Sequence, residues 1–83
     1  MIPEITHVKA RSDYKLIVKF KRSPARLFNM KPYLSKEIFK ELQNDKYFKK
    51  VRVVWGGVEW PHEQDLSAET LYHFGIPIAG SNP

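Results

Sequence analysis

One cluster in this 83-residue chain resembles a set of metal ligands: His62-Glu63-Gln64-Asp65. An imidazole with neighbouring carboxylates is a common ligand set for zinc. The HExxH zinc motif needs a second histidine four positions after the first, so that both imidazoles lie on one helical face. This stretch lacks that histidine and follows Pro61, which places it in a loop. We interpret it as a solvated polar turn and predict no metal site.

The other nucleophiles and bases form no catalytic pattern. His7 lies in a predicted strand, and His73 lies near a helix end, where an imidazole interacts favourably with the last carbonyls. No serine has a histidine at a suggestive spacing, and without cysteine the chain has no thiolate site or disulfide. Gly56-Gly57 is an isolated pair rather than a phosphate-binding loop. We predict no enzyme and no cofactor, and keep as an alternative an active site that assembles only in space.

Charge divides the chain into two parts. Residues 1–52 carry all 14 lysines and arginines against five acids, a net charge of +9, whereas residues 53–83 carry four acids and no base. A basic surface attracts nucleic acid, anionic lipid or an acidic protein. No apolar run approaches the ~18 residues that span a membrane, and the N-terminus does not resemble a signal peptide. We therefore expect a cytoplasmic protein of one domain that has no contact with a membrane.

Three strands are predicted before residue 31. Ile5–Ala10 and Tyr14–Lys21 form an antiparallel hairpin, and Ala25–Met30 follows with Phe28 and Met30 directed inward. The hairpin rests on a period of two, in which one face meets the core and the other meets water. The residues assigned to the core face of the second strand are Tyr14, Leu16, Val18 and Phe20, and those grouped on one side of the first strand are Ile5, His7 and Lys9.

Two helices are predicted. The main helix spans Leu34–Gln43, with Ser35 as its cap and an apolar stripe at helical spacing. The short helix spans Ala68–Phe74, with Ser67 as its N-cap and Gly75 as a left-handed C-cap. We expect the main helix to pack on one sheet face, which gives a small, single-domain α+β fold of antiparallel hairpins. The apolar stripe consists of Leu34, Ile38, Phe39 and Leu42.

The domain is expected to span residues 1–75. Residues 76–83 contain two prolines and a glycine. They form a C-terminal tail that either docks through Ile76 and Ile78 or is loose. The unpaired outer edges of a small sheet also leave a homodimer open.

Trp55 and Trp60 belong to the two strands of a predicted hairpin, residues 51–55 and 58–60, with Gly56-Gly57 as its turn. That turn pairs each tryptophan with a valine of the facing strand, all on one face. We predict that this face belongs to the core. The alternative is that one tryptophan is partly exposed and anchors a protein partner. The four residues of the face are Val53, Trp55, Val58 and Trp60.

A candidate binding face lies on the basic strands. Lys15, Lys19 and Lys21 share one side of the second strand, with Ile17 as its only apolar residue. Such a row can lie across phosphates, but it has no interleaved aromatic residue of the kind that stacks single-stranded nucleic acid. A solvated strand face is the alternative. The complete candidate face is Lys9, Arg11, Lys15, Lys19, Lys21 and Arg22.

Three dipeptides follow one another in fixed order near the C-terminus. Trp60-Pro61 ends a predicted strand, Asp65-Leu66 lies a few residues later, and Leu71-Tyr72 closes a short helix. Together they resemble the hallmark of a bacterial family, the domain of unknown function 2442 (DUF2442), and the earlier strands extend the resemblance to about residues 4–74. Arg22-Ser23-Pro24 departs from the family, which usually has a glycine-containing turn there. The residues that match the motif are Trp60, Pro61, Asp65, Leu66, Leu71 and Tyr72.

The resemblance implies a small α+β domain without assigned activity and without catalytic residues. Similar proteins are often encoded beside a gene of the family called domain of unknown function 4160, in an arrangement that looks like a toxin–antitoxin pair. We therefore expect a non-catalytic module that binds a partner protein, as an antitoxin-like partner of a small toxin. The alternative is a nucleic-acid-binding or transcription-regulatory accessory protein that uses the basic N-terminal strands.

Overall fold

Two antiparallel sheets and four short helices form the fold in the computed structural model, which describes residues 2–78. The first sheet contains, in spatial order, β1 (Ile5–Ala10), β2 (Lys15–Phe20), β3 (Arg26–Asn29) and β7 (Ile76–Pro77). The second sheet contains β4 (Arg52–Val54), β5 (Gly57–Glu59) and β6 (Asp65–Ser67). The helices are the 3₁₀ segments Lys31–Tyr33 and Glu37–Gln43 and the α-helices α1 (Asp45–Phe48) and α2 (Ala68–Phe74). The architecture confirms the α+β class.

One hydrophobic core joins both sheets and the helices. The alternation predicted for β2 is confirmed, because Leu16, Val18 and Phe20 are at most 1% exposed. Phe28 and Met30 are buried beside them, as predicted. The second sheet and the helices complete the cluster with Phe39, Leu42, Phe48, Val58, Trp60 and Leu71.

A bulge in β1 changes which of its residues face the core. The pairing with β2 shifts between Ile5 and His7, so that Ile5 lies opposite Phe20 and is buried, whereas His7 lies opposite Lys19 and is exposed. The prediction that Ile5, His7 and Lys9 share one side is therefore wrong for Ile5. An extra residue in a bulged strand reverses the alternation on either side of it.

The predicted main helix, Leu34–Gln43, is a shorter 3₁₀ helix, Glu37–Gln43. Its N-cap is Lys36 rather than Ser35, and no side chain caps it. Because a 3₁₀ helix has three residues per turn, Phe39 and Leu42 fall on one side and are buried. Ile38, which an α-helix would place in the same stripe, is 69% exposed.

The β4–β5 hairpin turns one residue earlier than predicted. Val54 pairs with Gly57 and Val53 with Val58, so the two-residue turn is Trp55-Gly56 rather than Gly56-Gly57. Of the two glycines, only Gly56 has a positive φ, at 84°. Trp55 therefore stands in the turn and is fully exposed, which overturns its predicted place on the core face, whereas Trp60 is completely buried.

Helix α2 has the predicted bounds and the predicted N-cap. The Ser67 hydroxyl accepts a hydrogen bond from the backbone N–H of Thr70 at 3.1 Å. Gly75 does end the helix, but in extended rather than left-handed backbone, with φ −76° and ψ 153°. A Cβ at this position would lie 2.5 Å from the carbonyl oxygen of Leu71, so close packing requires the glycine.

Arg26 of β3 caps the C-terminus of α2 from the neighbouring sheet. Its guanidinium donates to the carbonyls of Tyr72 at 2.8 Å and Gly75 at 3.2 Å, and lies 3.9 Å from the centre of the Tyr72 ring. A cation at a helix C-terminus satisfies the last carbonyls and the helix dipole together. This contact joins the last helix to the first sheet.

Replacing Arg26 with methionine keeps the apolar stem of the side chain but removes both hydrogen bonds. We expect the free energy of unfolding to fall by about 2 kcal/mol, because hydrogen bonds to a charged group contribute about 1.5–3 kcal/mol. For a domain of this size the melting temperature should then fall by about 10 °C. Arg22→Met makes the same change at an exposed turn position and is the control; equal melting temperatures for the two variants would contradict the capping role.

The segment after α2 returns to the first sheet. Leu27 pairs with Ile76 and Arg26 with Pro77, and the N–H of Ile78 donates to the carbonyl of Ala25 at 2.9 Å. The first residues of the expected tail, 76–83, thus make backbone contacts with the sheet. The part of that tail beyond Ile78 lies outside the described residues.

Candidate binding surface

The first sheet has one face toward the core and one face toward solvent, here called the outer face. Ile17 and Lys19 alternate with the buried residues of β2, so they lie on the outer face. Lys9 lies on the same face because it pairs with Ile17. The helix α2 contacts the opposite side through Arg26, whose partner in β2 is the buried Val18. The outer face consists of His7, Lys9, Lys15, Ile17, Lys19, Leu27, Asn29 and Ile76.

An apolar row crosses the outer face from strand to strand. Ile17 of β2 pairs with Leu27 of β3, which pairs with Ile76 of β7. Ile76 is 68% exposed, and Ile17 and Leu27 are partly buried although they lie outside the core cluster. With strands about 4.8 Å apart, the row is about 10 Å long. The sequence did not indicate this row, because Ile76 belongs to a strand that lies far along the chain from β2 and β3.

Lysines border the apolar row. Lys9 continues it on β1, opposite Ile17, and Lys15 and Lys19 precede and follow Ile17 on β2. Lys15 and Lys19 are about 13 Å apart along the strand. Their aliphatic stems can cover part of the row while the ammonium groups stay in water. The apolar row therefore runs from β2 to Ile76 on the edge strand β7, and the lysines surround its β2 end.

The six residues of the predicted basic face do not all lie together. Lys9, Lys15 and Lys19 are on the outer face. Arg11 lies at one end of it, in the β1–β2 turn, where it pairs with Asp13 at 2.8 Å. Lys21 and Arg22 lie at the other end, after the last residue of β2. The bases thus extend along the whole length of the β1–β2 hairpin.

The family-motif residues have mainly structural contacts. Trp60 is buried, stacks on Phe48 with ring centres 5.9 Å apart, and donates from Nε1 to the carbonyl of Phe48 at 2.8 Å. Leu71 is completely buried, and the Tyr72 ring packs edge-on against Phe20 at 5.2 Å. Leu66 packs against the core, and Pro61 is exposed in the loop that follows Trp60. Asp65, by contrast, is exposed on β6.

The polar stretch His62–Asp65 is tied to the 3₁₀ helix by Glu41, a residue that the sequence did not single out. Nδ1 of His62 lies 2.7 and 2.8 Å from the two carboxylate oxygens of Glu41, and Nε2 of Gln64 donates to the same carboxylate at 3.0 Å. The Tyr47 hydroxyl donates to Oε1 of Gln64 at 2.7 Å and accepts from the N–H of His62 at 2.8 Å. These contacts fix the loop. Within residues 2–78, no group of three histidine, aspartate or glutamate side chains is placed to hold a metal ion.

The hydrogen bond from His62 holds the pKa of Glu41 below its ordinary value; partial desolvation opposes this effect, and the hydrogen bond from Gln64 adds to it. A lowered pKa in the folded state stabilises the fold above the pKa of the unfolded chain, and that contribution is lost as the pH falls through the folded-state pKa. We expect Glu41→Gln to melt slightly below the wild type at neutral pH and to match it in acid. Melting curves over this pH range, with Glu37→Gln as the control on the same helix, check this; a difference that persists once Glu41 is protonated would contradict it.

Trp55 is exposed on the surface, whereas the sequence analysis predicted it in the core. It stands at the end of the β4–β5 hairpin, beside a shallow depression of about 190 Å³ that is also lined by Val54, Asp65 and Ser67. The alternative of an exposed tryptophan is thus the one that the structure supports. The glycine pair indicated a hairpin but allowed two registers, so the sequence alone did not locate Trp55 in the turn.

Comparison with known proteins identifies a family for nearly the whole chain. The model of the family described as "Protein of unknown function (DUF2442)" matches residues 5–77. Neither a curated protein nor a solved structure matches the chain significantly. Within residues 2–78, the structure has no helix that is both long and apolar enough to cross a membrane.

Proposed function

We propose that this chain, which belongs to the DUF2442 family of proteins of unknown function, acts through the sheet face that its fold leaves uncovered. The domain is a non-catalytic module that binds a protein partner through the outer face of the first sheet. The observation that carries this proposal is the apolar row of Ile17, Leu27 and Ile76, in register across three strands and outside the core.

The composition of the outer face resembles that of a protein interface. Interfaces typically have an apolar centre that loses its water and a polar rim that stays wet. Here the apolar row supplies the part that loses its water, and Lys9, Lys15 and Lys19 supply a polar rim on the side of β1 and β2. Rim charges raise the rate of association with a partner of opposite charge more than they raise affinity. The partner should therefore present acidic side chains beside an apolar patch.

The first partner to test is a small protein encoded beside this chain. The gene arrangement of similar proteins, which looks like a toxin–antitoxin pair, supports an antitoxin-like role in which this domain covers a small toxin. The lack of cysteine suits the reducing cytoplasm, where we propose that the pair acts.

Co-expression with the neighbouring gene product should give a stoichiometric complex that elutes as one species. Ile76→Thr should weaken this complex about tenfold, because the few side chains that dominate an interface each cost more than about 1 kcal/mol when truncated, and Ile76 is the most exposed member of the apolar row. Ile38→Thr is the matched control, since Ile38 is 69% exposed and Ile76 68%, and Ile38 lies outside the outer face. Separate elution of the two proteins at low salt, or equal weakening by both variants, would count against the proposal.

A nucleic-acid-binding function is the second candidate. It is favoured by the extension of six bases along the β1–β2 hairpin, from Arg11 at one end to Arg22 at the other. It is disfavoured by the apolar row on the outer face, since phosphates contact cations and polar donors. Gel-shift assays at two salt concentrations decide between the two functions: phosphate binding weakens by about one log unit per log unit of salt for each contact. Affinity purification from nuclease-treated and untreated native lysates identifies the class of partner independently.

A further inference from the structure

We propose that the end of the β4–β5 hairpin is a second binding site, in which Trp55 and Asp65 hold an arginine side chain of a basic protein segment. This site is distinct from the outer face, because it belongs to the other sheet and its charge is of opposite sign. The partner segment is recognised by its guanidinium group.

The indole of Trp55 is the first half of the site. Its side chain is fully exposed on a two-residue turn, although tryptophan is normally among the more buried residue types. The short turn of Trp55 and Gly56 holds the indole of Trp55 away from the core. The tryptophan that packs in the core is Trp60. An exposed indole presents the best aromatic surface for a cation.

The carboxylate of Asp65 is the second half. Asp65 lines the same depression as Trp55 and is exposed. Glu59 lies directly opposite it in the β5–β6 pair, and like charges in that position repel. Arg52 pairs with Glu59 at 3.5 Å, whereas Asp65 has no ion-pair partner within residues 2–78. A cation bound beside Asp65 would relieve the repulsion.

The size and shape of the depression favour one arginine rather than a larger ligand. Its volume of about 190 Å³ is below the roughly 300–1,000 Å³ of small-molecule sites. A guanidinium is planar, stacks on aromatic rings and bonds a carboxylate with two parallel N–H groups, which the ammonium of lysine does not do. Besides Trp55 and Asp65, the depression is lined by residues 54, 56–58, 66 and 67.

Titration of the ¹⁵N-labelled protein with a hexa-arginine peptide tests the site. The two indole N–H signals report separately on Trp55 and Trp60, and Trp55→Phe assigns them. We expect the Trp55 signal to move and the Trp60 signal to stay, because the Trp60 N–H is bonded to Phe48 inside the core. A titration that moves neither signal, or both equally, would overturn the proposal.

Affinities for the fluorescein-labelled peptide, measured by anisotropy at low salt, separate this site from general attraction to acidic residues. Trp55→Ala should weaken binding about fivefold and Asp65→Asn about threefold. Glu69→Gln removes the same charge on α2, outside the depression, and should change affinity less than about twofold. Equal loss with Glu69→Gln, or no loss with Trp55→Ala, would overturn the proposal. So would movement of the Trp55 signal with protein concentration alone, since the occupant would then be a second copy of this chain.

Discussion

Replacing Trp60 with alanine is expected to remove about 4 kcal/mol or more from the free energy of unfolding. Truncation of a buried aromatic residue costs about 3–5 kcal/mol through lost burial and the cavity that remains. The Trp60 indole also donates to the buried carbonyl of Phe48, which the variant leaves without its partner. Since small domains have only about 5–15 kcal/mol of stability, urea unfolding should show a domain close to unfolding in water.

The two tryptophans provide a matched control for this prediction. Trp55→Ala makes the same chemical change at a fully exposed turn position, where substitutions usually change stability by at most about 0.5 kcal/mol. Trp60→Phe should fall between them, because it keeps the aromatic packing on Phe48 but loses the hydrogen bond. Similar unfolding midpoints for Trp55→Ala and Trp60→Ala would contradict the assignment of one tryptophan to the core and one to solvent.

Replacing Gly57 with alanine is expected to destabilise the domain by about 3 kcal/mol, at the upper end of the usual cost of overpacking. A Cβ at Gly57 would lie 2.1 Å from the carbonyl oxygen of Leu66 and 3.1 Å from the Cα of Ser67. Both are backbone atoms, so strand β6 has to move away from β5 before the methyl group fits. Thermal unfolding measures the loss, and amide hydrogen exchange should localise it to β5 and β6.

Gly56→Ala is the control for Gly57→Ala. Gly56 has open space around the position of a Cβ but a φ of 84°, so alanine there suffers backbone strain alone, about 1 kcal/mol. The two neighbouring glycines are thus required for different reasons, one for its conformation and one for the close approach of a strand. A larger loss for Gly56→Ala than for Gly57→Ala would contradict the close approach of β6 to Gly57.

Several features that depend on neighbours in the sequence were predicted correctly, although the 3₁₀ form of Glu37–Gln43 and the extended backbone of Gly75 were not. The core face of β2 follows from a period of two, and Ser67 precedes an apolar helical segment with an acid in its first turn. The family motif was also readable, because Trp60 and Leu71 are large apolar residues at fixed positions next to a proline and a tyrosine. Local physical chemistry determines the strand face and the helix cap, whereas the motif was recognised by its resemblance to a family.

Features that depend on distant contacts were missed. Ile76 joins the outer face only because β7 returns to β3, about fifty residues away in the chain. Glu41 of the 3₁₀ helix is hydrogen-bonded to His62 in the loop after β5. Arg26 caps a helix that begins more than forty residues later. The register of the β4–β5 hairpin was wrong by one residue because Gly56-Gly57 offers two possible turns, and only the approach of Leu66 to Gly57 selects between them. That single shift moves Trp55 from the core face to solvent.

The central claim is that the outer face of the first sheet binds a protein, and methyl NMR tests it most directly. The isoleucine methyl groups of the labelled domain are observed before and after addition of the protein that co-purifies with it. We predict that the signals of Ile17 and Ile76 move while that of Ile38, equally exposed but elsewhere, stays in place. Movement of the Ile38 signal with Ile17 and Ile76 unchanged would contradict the claim.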